Sequence, residues 1–242
     1  MKSLYSRTAL IIGESGIEKL NNSNVLLFGL GGVGSYVFEG LIRAGIKRIT
    51  VVDNDEYSET NMNRQLYATT STIGKLKTAV ASDRAKEINP SAQVLEINQF
   101  VLPGNLGDIN FSMYDYVIDA IDTVSAKVEI AKICHEKGVN LISCMGTGNK
   151  LDPTLFKVAD IKQTKVCPLC KVMRKLLKEN GVDKLKVVYS EEEPIKANYS
   201  DDSDKKGSNY APASISFVPS VAGLIIAGEV IKDLIKGSKE ND

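Results

Sequence analysis

The sequence predicts an α/β protein built on a doubly wound, mostly parallel sheet, with an α/β elaboration towards its C-terminal end. Three observations predict it. Short apolar, β-branched runs alternate with stretches of helical spacing, the first run ends in a glycine cluster, and no internal repeat divides the chain. A length of 242 residues suits one large domain or one domain with an elaboration.

The elements follow in order. "NVLLFG" (24–29) is a short apolar strand ending in glycine, and "SYVFEGLIRAG" (35–45) carries apolar residues at helical spacing closed by Gly45. "RITVVD" (48–53) is β-branched, residues 74–88 read as a helix halted by Asn89 and Pro90, and "QVLEIN" (93–98) alternates as a half-buried strand does. "DYVIDA" (115–120), a helix over roughly 125–137 and "NLISCM" (140–145) complete the βα series. These elements and an N-terminal helix make residues 1–150 the core, with 151–242 as the elaboration. In the elaboration "LFKVADI" reads as a strand, "CPLCKVMRKLLKENG" as an amphipathic helix and "KLKVVYS" as a strand. The polar, turn-rich residues 191–213 read as a mobile surface loop, and "SISFVPSVAGLIIAGEVIKDLIKG" as a terminal strand and buried helix.

Composition excludes several function classes. With 30 basic and 30 acidic residues no global field draws the chain to nucleic acid or anionic lipid, so any such partner needs a local patch. The N-terminus carries no pattern of a secretory signal, and the longest apolar stretch, 217–228, is too short for an integral membrane segment, which predicts a cytoplasmic protein. A single histidine, His135, excludes chemistry that needs two imidazoles, and its place inside a helix suggests a structural role.

Gly29, Gly31 and Gly34, with Gly32 between them, form a GxGxxG turn between strand and helix, the Rossmann-like arrangement that brings backbone N–H groups and a helix N-terminus up to a phosphate. Asp53 ends the next strand, where an acid binds a ribose hydroxyl. On these residues alone an NAD-dependent oxidoreductase remains a reading. The stretch after Asp53 argues for another. Asp55, Asn61, Arg64, Gln65 and Lys77 crowd one connection, and Asp119 and Asp122 end a strand across the same crevice. Splitting a triphosphate calls for such a set: cations for the developing charge, a hard carboxylate for Mg²⁺, amides to orient the nucleotide.

The stretches "GLGGVGSYVFEGLIRAGI", "DNDEYSETNMNRQ", "GKLKTA", "INP" and "VIDAIDTVSAK" resemble the adenylate-forming family of ubiquitin-activating enzymes and their bacterial relatives in thiamin and molybdopterin synthesis. The resemblance implies ATP and Mg²⁺ as cofactors, with Asp55, Asn61, Arg64, Lys77 and Asp122 handling them and Asp122 on the metal. It implies that Gly31 and Asp53 contact phosphate and ribose. It also implies a homodimer, in which Arg7, six residues before Gly13, reaches the partner's phosphates. Through "MGTGNKLDPTLFKVADI" and the stretches after it, the whole chain resembles the tRNA-modifying branch of that family. That branch implies ATP-dependent dehydration, by cyclisation, of threonylcarbamoyladenosine in tRNA through an acyl adenylate. Adenylation of the C-terminus of a ubiquitin-like sulfur-carrier protein is the alternative, and a sulfur-acceptor or cysteine desulfurase-type protein is a further partner the family implies.

"CPLC" places Cys167 and Cys170 at CxxC spacing, but the second CxxC pair that relatives use for structural zinc is missing. Four ligands are the norm, so zinc is not expected unless two chains share it; relatives that pass sulfur use a cysteine thiol, for which Cys167 is a candidate, but a helix start fits the pair as well and the structural reading is preferred. Lys171, Arg174, Lys175 and Lys178 flank an apolar stripe of Leu169, Val172, Met173, Leu176 and Leu177; with Lys162, Lys165, Lys184 and Lys186 they form the best candidate contact for tRNA phosphates.

Overall fold

The computed structural model describes residues 4–198, 205–206, 209–210 and 212–236. Helix α1 (Ser6–Asn22) leads into β1 (Asn24–Phe28), α2 (Gly34–Ala44), β2 (Arg48–Val52), α3 (Lys77–Ile88) and β3 (Gln93–Ile97). Then come β4 (Tyr116–Asp119), α4 (Val124–Lys137) and β5 (Asn140–Cys144), followed by β6 (Phe156–Asp160), α5 (Pro168–Glu179), β7 (Lys186–Ser190) and α6 (Phe217–Lys236). Two-residue strands β8 (Lys205–Lys206) and β9 (Asn209–Tyr210) pair with each other.

One sheet of seven strands runs in the order β3-β2-β1-β4-β5-β7-β6. All its pairs are parallel except β6 with β7, which is antiparallel. The strand order reverses between β1 and β4, and a crevice outside the carboxyl ends of the strands opens at such a point. Strands β1 and β4 are buried along almost their whole length, which is why their sequences read as continuous apolar runs. Phe28, Leu27 and Ile118 are fully buried there.

The last helix belongs to the central packing. On α6 a Cβ at Gly223 would lie 2.5 Å from the Val33 carbonyl oxygen, so only glycine lets this helix meet the start of α2 backbone to backbone. Among the described residues no helix is long and apolar enough to cross a membrane.

Two expectations are corrected. No strand forms over "SISF": residues 212–215 are irregular and α6 starts at Phe217. Pro219 has no N–H to give a sheet, whereas the first turn of a helix leaves that N–H unpaired anyway. On α5 the buried face is Cys170, Met173 and Leu177, three and four residues apart, and Val172, a quarter-turn away, is exposed. Much of the loop expected over 191–213 lies outside the described residues. Its ends are held by one residue: Asn149 accepts the Ile195 N–H on its carbonyl (2.8 Å), donates its own N–H to the Ala213 carbonyl (2.7 Å) and accepts the Ala213 N–H on Oδ1 (2.8 Å).

Candidate active site

At the switch point, beyond the ends of β1, β2 and β4, a cavity of about 560 Å³ is lined by the glycine loop and by residues from both halves of the chain. The loop is built on close approach. A Cβ on Gly34 would sit 1.8 Å from the Gly29 carbonyl oxygen, and one on Gly29 would sit 2.8 Å from the Ala120 carbonyl. Gly29 also holds a φ of 89°, which L side chains rarely adopt. The turn is therefore tight enough to aim the start of α2 into the cavity. Gly34 itself is buried beneath the loop and does not line the cavity.

Asp53 ties the second connection to this loop. Its carboxylate accepts the Leu30 N–H at 2.7 Å and the Asp55 N–H at 2.9 Å. Burial pushes its pKa above the ordinary carboxylate value, opposed by the nearby Lys77 charge and those two N–H groups. Lys77, at the start of α3, is 4% exposed and lies 2.7 Å from Asp55 and 3.9 Å from Asp53. A buried ammonium paired with one exposed and one buried carboxylate is a cation held in place.

Between them the chain makes a short 3₁₀ turn over Glu59–Asn61, in which the Asn61 carbonyl accepts the N–H groups of Arg64 (3.1 Å) and Gln65 (2.9 Å). That turn faces both side chains towards the glycines. The Arg64 stem packs against Gly32, and its guanidinium donates to the Thr60 carbonyl at 2.9 Å and to Asn63 Oδ1 at 2.8 Å. Half-burial lowers its pKa, yet a guanidinium keeps its charge at any ordinary pH. Gln65 is 7% exposed, and its Oε1 has no hydrogen-bond partner among the described residues. A buried orphan acceptor on a cavity wall is the mark of a site that awaits a donor from a ligand.

Asp122 lines the opposite wall. The short connection that carries it is pinned from below. Lys127 and Asp119 are both fully buried, and the Lys127 ammonium donates to Asp119 at 2.9–3.0 Å and to the Ile121 carbonyl at 3.0 Å. Ser143 Oγ donates to the other side of the Asp119 carboxylate. Asp119 is thus a buried anchor for the connection, and it does not line the cavity.

Of the residues singled out in the sequence, Gly29, Gly31, Gly32, Asp53, Asp55, Asn61, Arg64, Gln65, Lys77 and Asp122 converge on this cavity. Arg7 does not: it is exposed on α1, amid exposed Leu4, Leu10 and Ile11. His135 is exposed in the last turn of α4, outside the cavity. Sequence reasoning missed Gln99, Phe100 and Val101 after β3, Thr123, residues Gly146–Gly148 after β5, and Pro212, Ser214 and Pro219. The strand ends beneath the first and third groups were the available signal; nothing local signalled that 212–214 returns to the rim. Cys144 also lines the cavity, and burial pushes its thiol up to about 12, which removes it as a nucleophile at neutral pH.

Comparison with known proteins agrees with this geometry. The ThiF family profile matches residues 5–242. A tRNA threonylcarbamoyladenosine dehydratase of Bacillus subtilis is 41% identical over 240 residues, covering 96% of this chain and 94% of that protein. The Escherichia coli protein of the same name is 35% identical over 176 residues, 73% of this chain and 66% of its own. The crystal structure of the E. coli enzyme in complex with ATP superposes with a TM-score of 0.84 at 29% identity, covering 98% of this chain and 97% of that one.

Proposed function

The chain belongs to the ThiF family, and from that premise we propose that it is an ATP-dependent dehydratase that cyclises threonylcarbamoyladenosine in tRNA. The observation that carries the reading is the convergence of a phosphate-binding glycine turn, two held cations and an orphan amide oxygen in one cavity.

The substrate's own groups do the covalent work. Its carboxylate attacks the α-phosphate of ATP, pyrophosphate leaves, and a ureido nitrogen then attacks the activated carbonyl and expels AMP. Net loss of water results. The protein has to position these groups and stabilise charge. The glycine loop and the start of α2 face the phosphates, Arg64 and Lys77 meet the charge that develops on them, and Asp53, Asp55, Asn61 and Gln65 orient the nucleotide. Asp122 suits Mg²⁺, which binds through one or two carboxylates plus phosphates and water; among the described residues no group of three metal-ligating side chains forms a closed cage. When bound, the ion neutralises phosphate charge. In this reading residues 1–150 are the nucleotide-binding core and 151–242 the elaboration, whose helix α5 carries the RNA contacts. Exposed Leu4, Leu10 and Ile11 around Arg7 support a homodimer in which Arg7 completes the partner's site. A tRNA substrate argues for the cytoplasm.

Incubation with ATP, Mg²⁺ and tRNA carrying the precursor is expected to release AMP and pyrophosphate, with the modified nucleoside losing the mass of one water. Adenylation of a small carrier protein instead, with tRNA unchanged, would replace this reading by sulfur-carrier activation.

The RNA surface can be narrowed. Lys186 is taken up by Glu229 (2.7 Å) and Asp233 (2.8 Å), Lys162 by Asp183 (2.9 Å), and Arg174 by the Thr164 carbonyl (3.0 Å). Lys165, Lys171, Lys178 and Lys184 are exposed and form no ion pair among the described residues. Leu169, on the first turn of α5, lines the cavity, and Lys178 lies about 14 Å further along at 1.5 Å per residue. Phosphates bound along α5 would therefore lead towards the nucleotide. Reversing Lys171 and Lys178 to Glu is expected to weaken tRNA binding and to flatten the log–log salt slope by about two, one for each contact. An unchanged slope removes α5 from the interface.

A further inference from the structure

The triphosphate chemistry leaves Cys167 and Cys170 unused, although they border its cavity. Both are buried and reduced, at 3% and 0% exposure. Cys167 caps α5, with Pro168 in the first helical position, so Cys170 lies one helical turn on, where side chains face each other. The backbone reaching Cys167 is strained. Its N–H donates to the Lys165 carbonyl at 2.6 Å, closing a three-residue turn around Val166 at a φ of 63°. That is the rare γ-turn, here on a β-branched residue. Val166 is 44% exposed.

Cys167 and Cys170 pack in one buried cluster with Met145 and Leu169. Met145 and Leu169 both line the nucleotide cavity, so the pair sits directly behind its wall. Sharing one proton with Cys170 at the start of α5 lowers the Cys167 pKa and raises that of Cys170. Cys144 and Cys134 show the opposite behaviour, with thiols pushed up to about 12 chiefly by burial, to which the nearby Asp119 charge adds.

We propose that Cys167 and Cys170 form a redox-active dithiol behind the wall of the nucleotide cavity, which a peroxide closes to an intramolecular disulfide. The Cys167 thiolate attacks one oxygen of the peroxide; the O–O bond breaks, the sulfur is oxidised by two electrons to a sulfenic acid, and hydroxide leaves. Cys170 Sγ then attacks Cys167 Sγ. The S–O bond breaks, and the leaving hydroxide takes the Cys170 proton to give water. A dithiol reductant reverses the sequence by thiol–disulfide exchange.

The test uses the whole chain and hydrogen peroxide. After treatment between about pH 5.5 and about pH 8, the protein is denatured, free thiols are alkylated and trypsin is added. Cleavage after Lys165 and Lys171 leaves both cysteines in one peptide, 166–171. That peptide is expected unalkylated, lighter by two hydrogens, and restored by dithiothreitol, with a rate that depends on pH far less steeply than the roughly tenfold per unit of an ordinary thiol. Cys170→Ser should halt the reaction at a Cys167 sulfenic acid that dimedone labels. The proposal is overturned if Cys167 and Cys170 remain alkylatable, if Cys167 joins Cys144, if the rate falls about tenfold per pH unit as for an ordinary thiol, or if the Ser variant, folded by circular dichroism, takes no dimedone at Cys167.

Discussion

Arg64→Ala is expected to lower the rate of ATP-dependent dehydration by about 100- to 1,000-fold, the usual cost of removing one preorganised donor from a developing oxyanion. The fold should tolerate the change. Arg64 is half-buried and its hydrogen bonds are local, to Thr60 and Asn63, while the Asn61 turn that positions it is made by backbone groups. The loss should fall on kcat more than on ATP affinity, because in the proposed site the glycine loop is left intact to hold the phosphates. Single-turnover measurement of AMP release, beside far-ultraviolet circular dichroism, checks both statements. The variant also tests the dimer. Mixed with Arg7→Ala protein, it should regain activity, since each mixed dimer holds one site with both arginines intact. Full activity of Arg64→Ala alone would remove this side chain from the chemistry, and a failure to complement would place Arg7 outside the site.

Lys127→Met is expected to destabilise the protein by about 3–5 kcal/mol, the range for removing one partner of a buried ion pair. Asp119 would then stand beside Ser143 with no counter-ion, at zero exposure. Urea unfolding gives the figure, and the double variant Lys127→Met with Asp119→Leu should recover part of it, because a fully apolar replacement strands no charge. Loss of the Lys127 bond to the Ile121 carbonyl should also loosen the connection that presents Asp122. Raised Mg²⁺ dependence in the surviving enzyme would report that loosening. A double variant as unstable as the single one would show that packing, not charge, sets the cost.

How much of this was legible in the sequence follows from the range of each interaction. The βα alternation and the glycine turn were legible because they depend on neighbours a few residues away. The crowd from Asp53 to Lys77 could be suspected of a common purpose for the same reason. The Lys127–Asp119–Ser143 network was not visible. Lys127 reads as a helix-surface cation, and only the parallel register of β4 with β5 sets Ser143 beside Asp119. The rim at 212–214 was hidden too, since its place depends on Asn149 and on Asn63, which donates to the Ser214 carbonyl at 3.0 Å. "SISF" misled because β-branched residues beside Ser suit a strand locally, while the helix that starts at Phe217 is settled by Pro219 and by packing on α2. The basic run on α5 read as eight equivalent cations. Ion pairing to α6 withdraws Lys186, while Asp183 takes up Lys162 and the Thr164 carbonyl takes up Arg174.

The contact of Gly223 with the Val33 carbonyl has a consequence during synthesis. As the chain leaves the ribosome, the glycine turn is made early, but the surface that seals its helix arrives some 180 residues later. Until α6 emerges the apolar back of α2 stays wet, so nascent chains are expected to depend meanwhile on chaperones that shield bare hydrophobic helices.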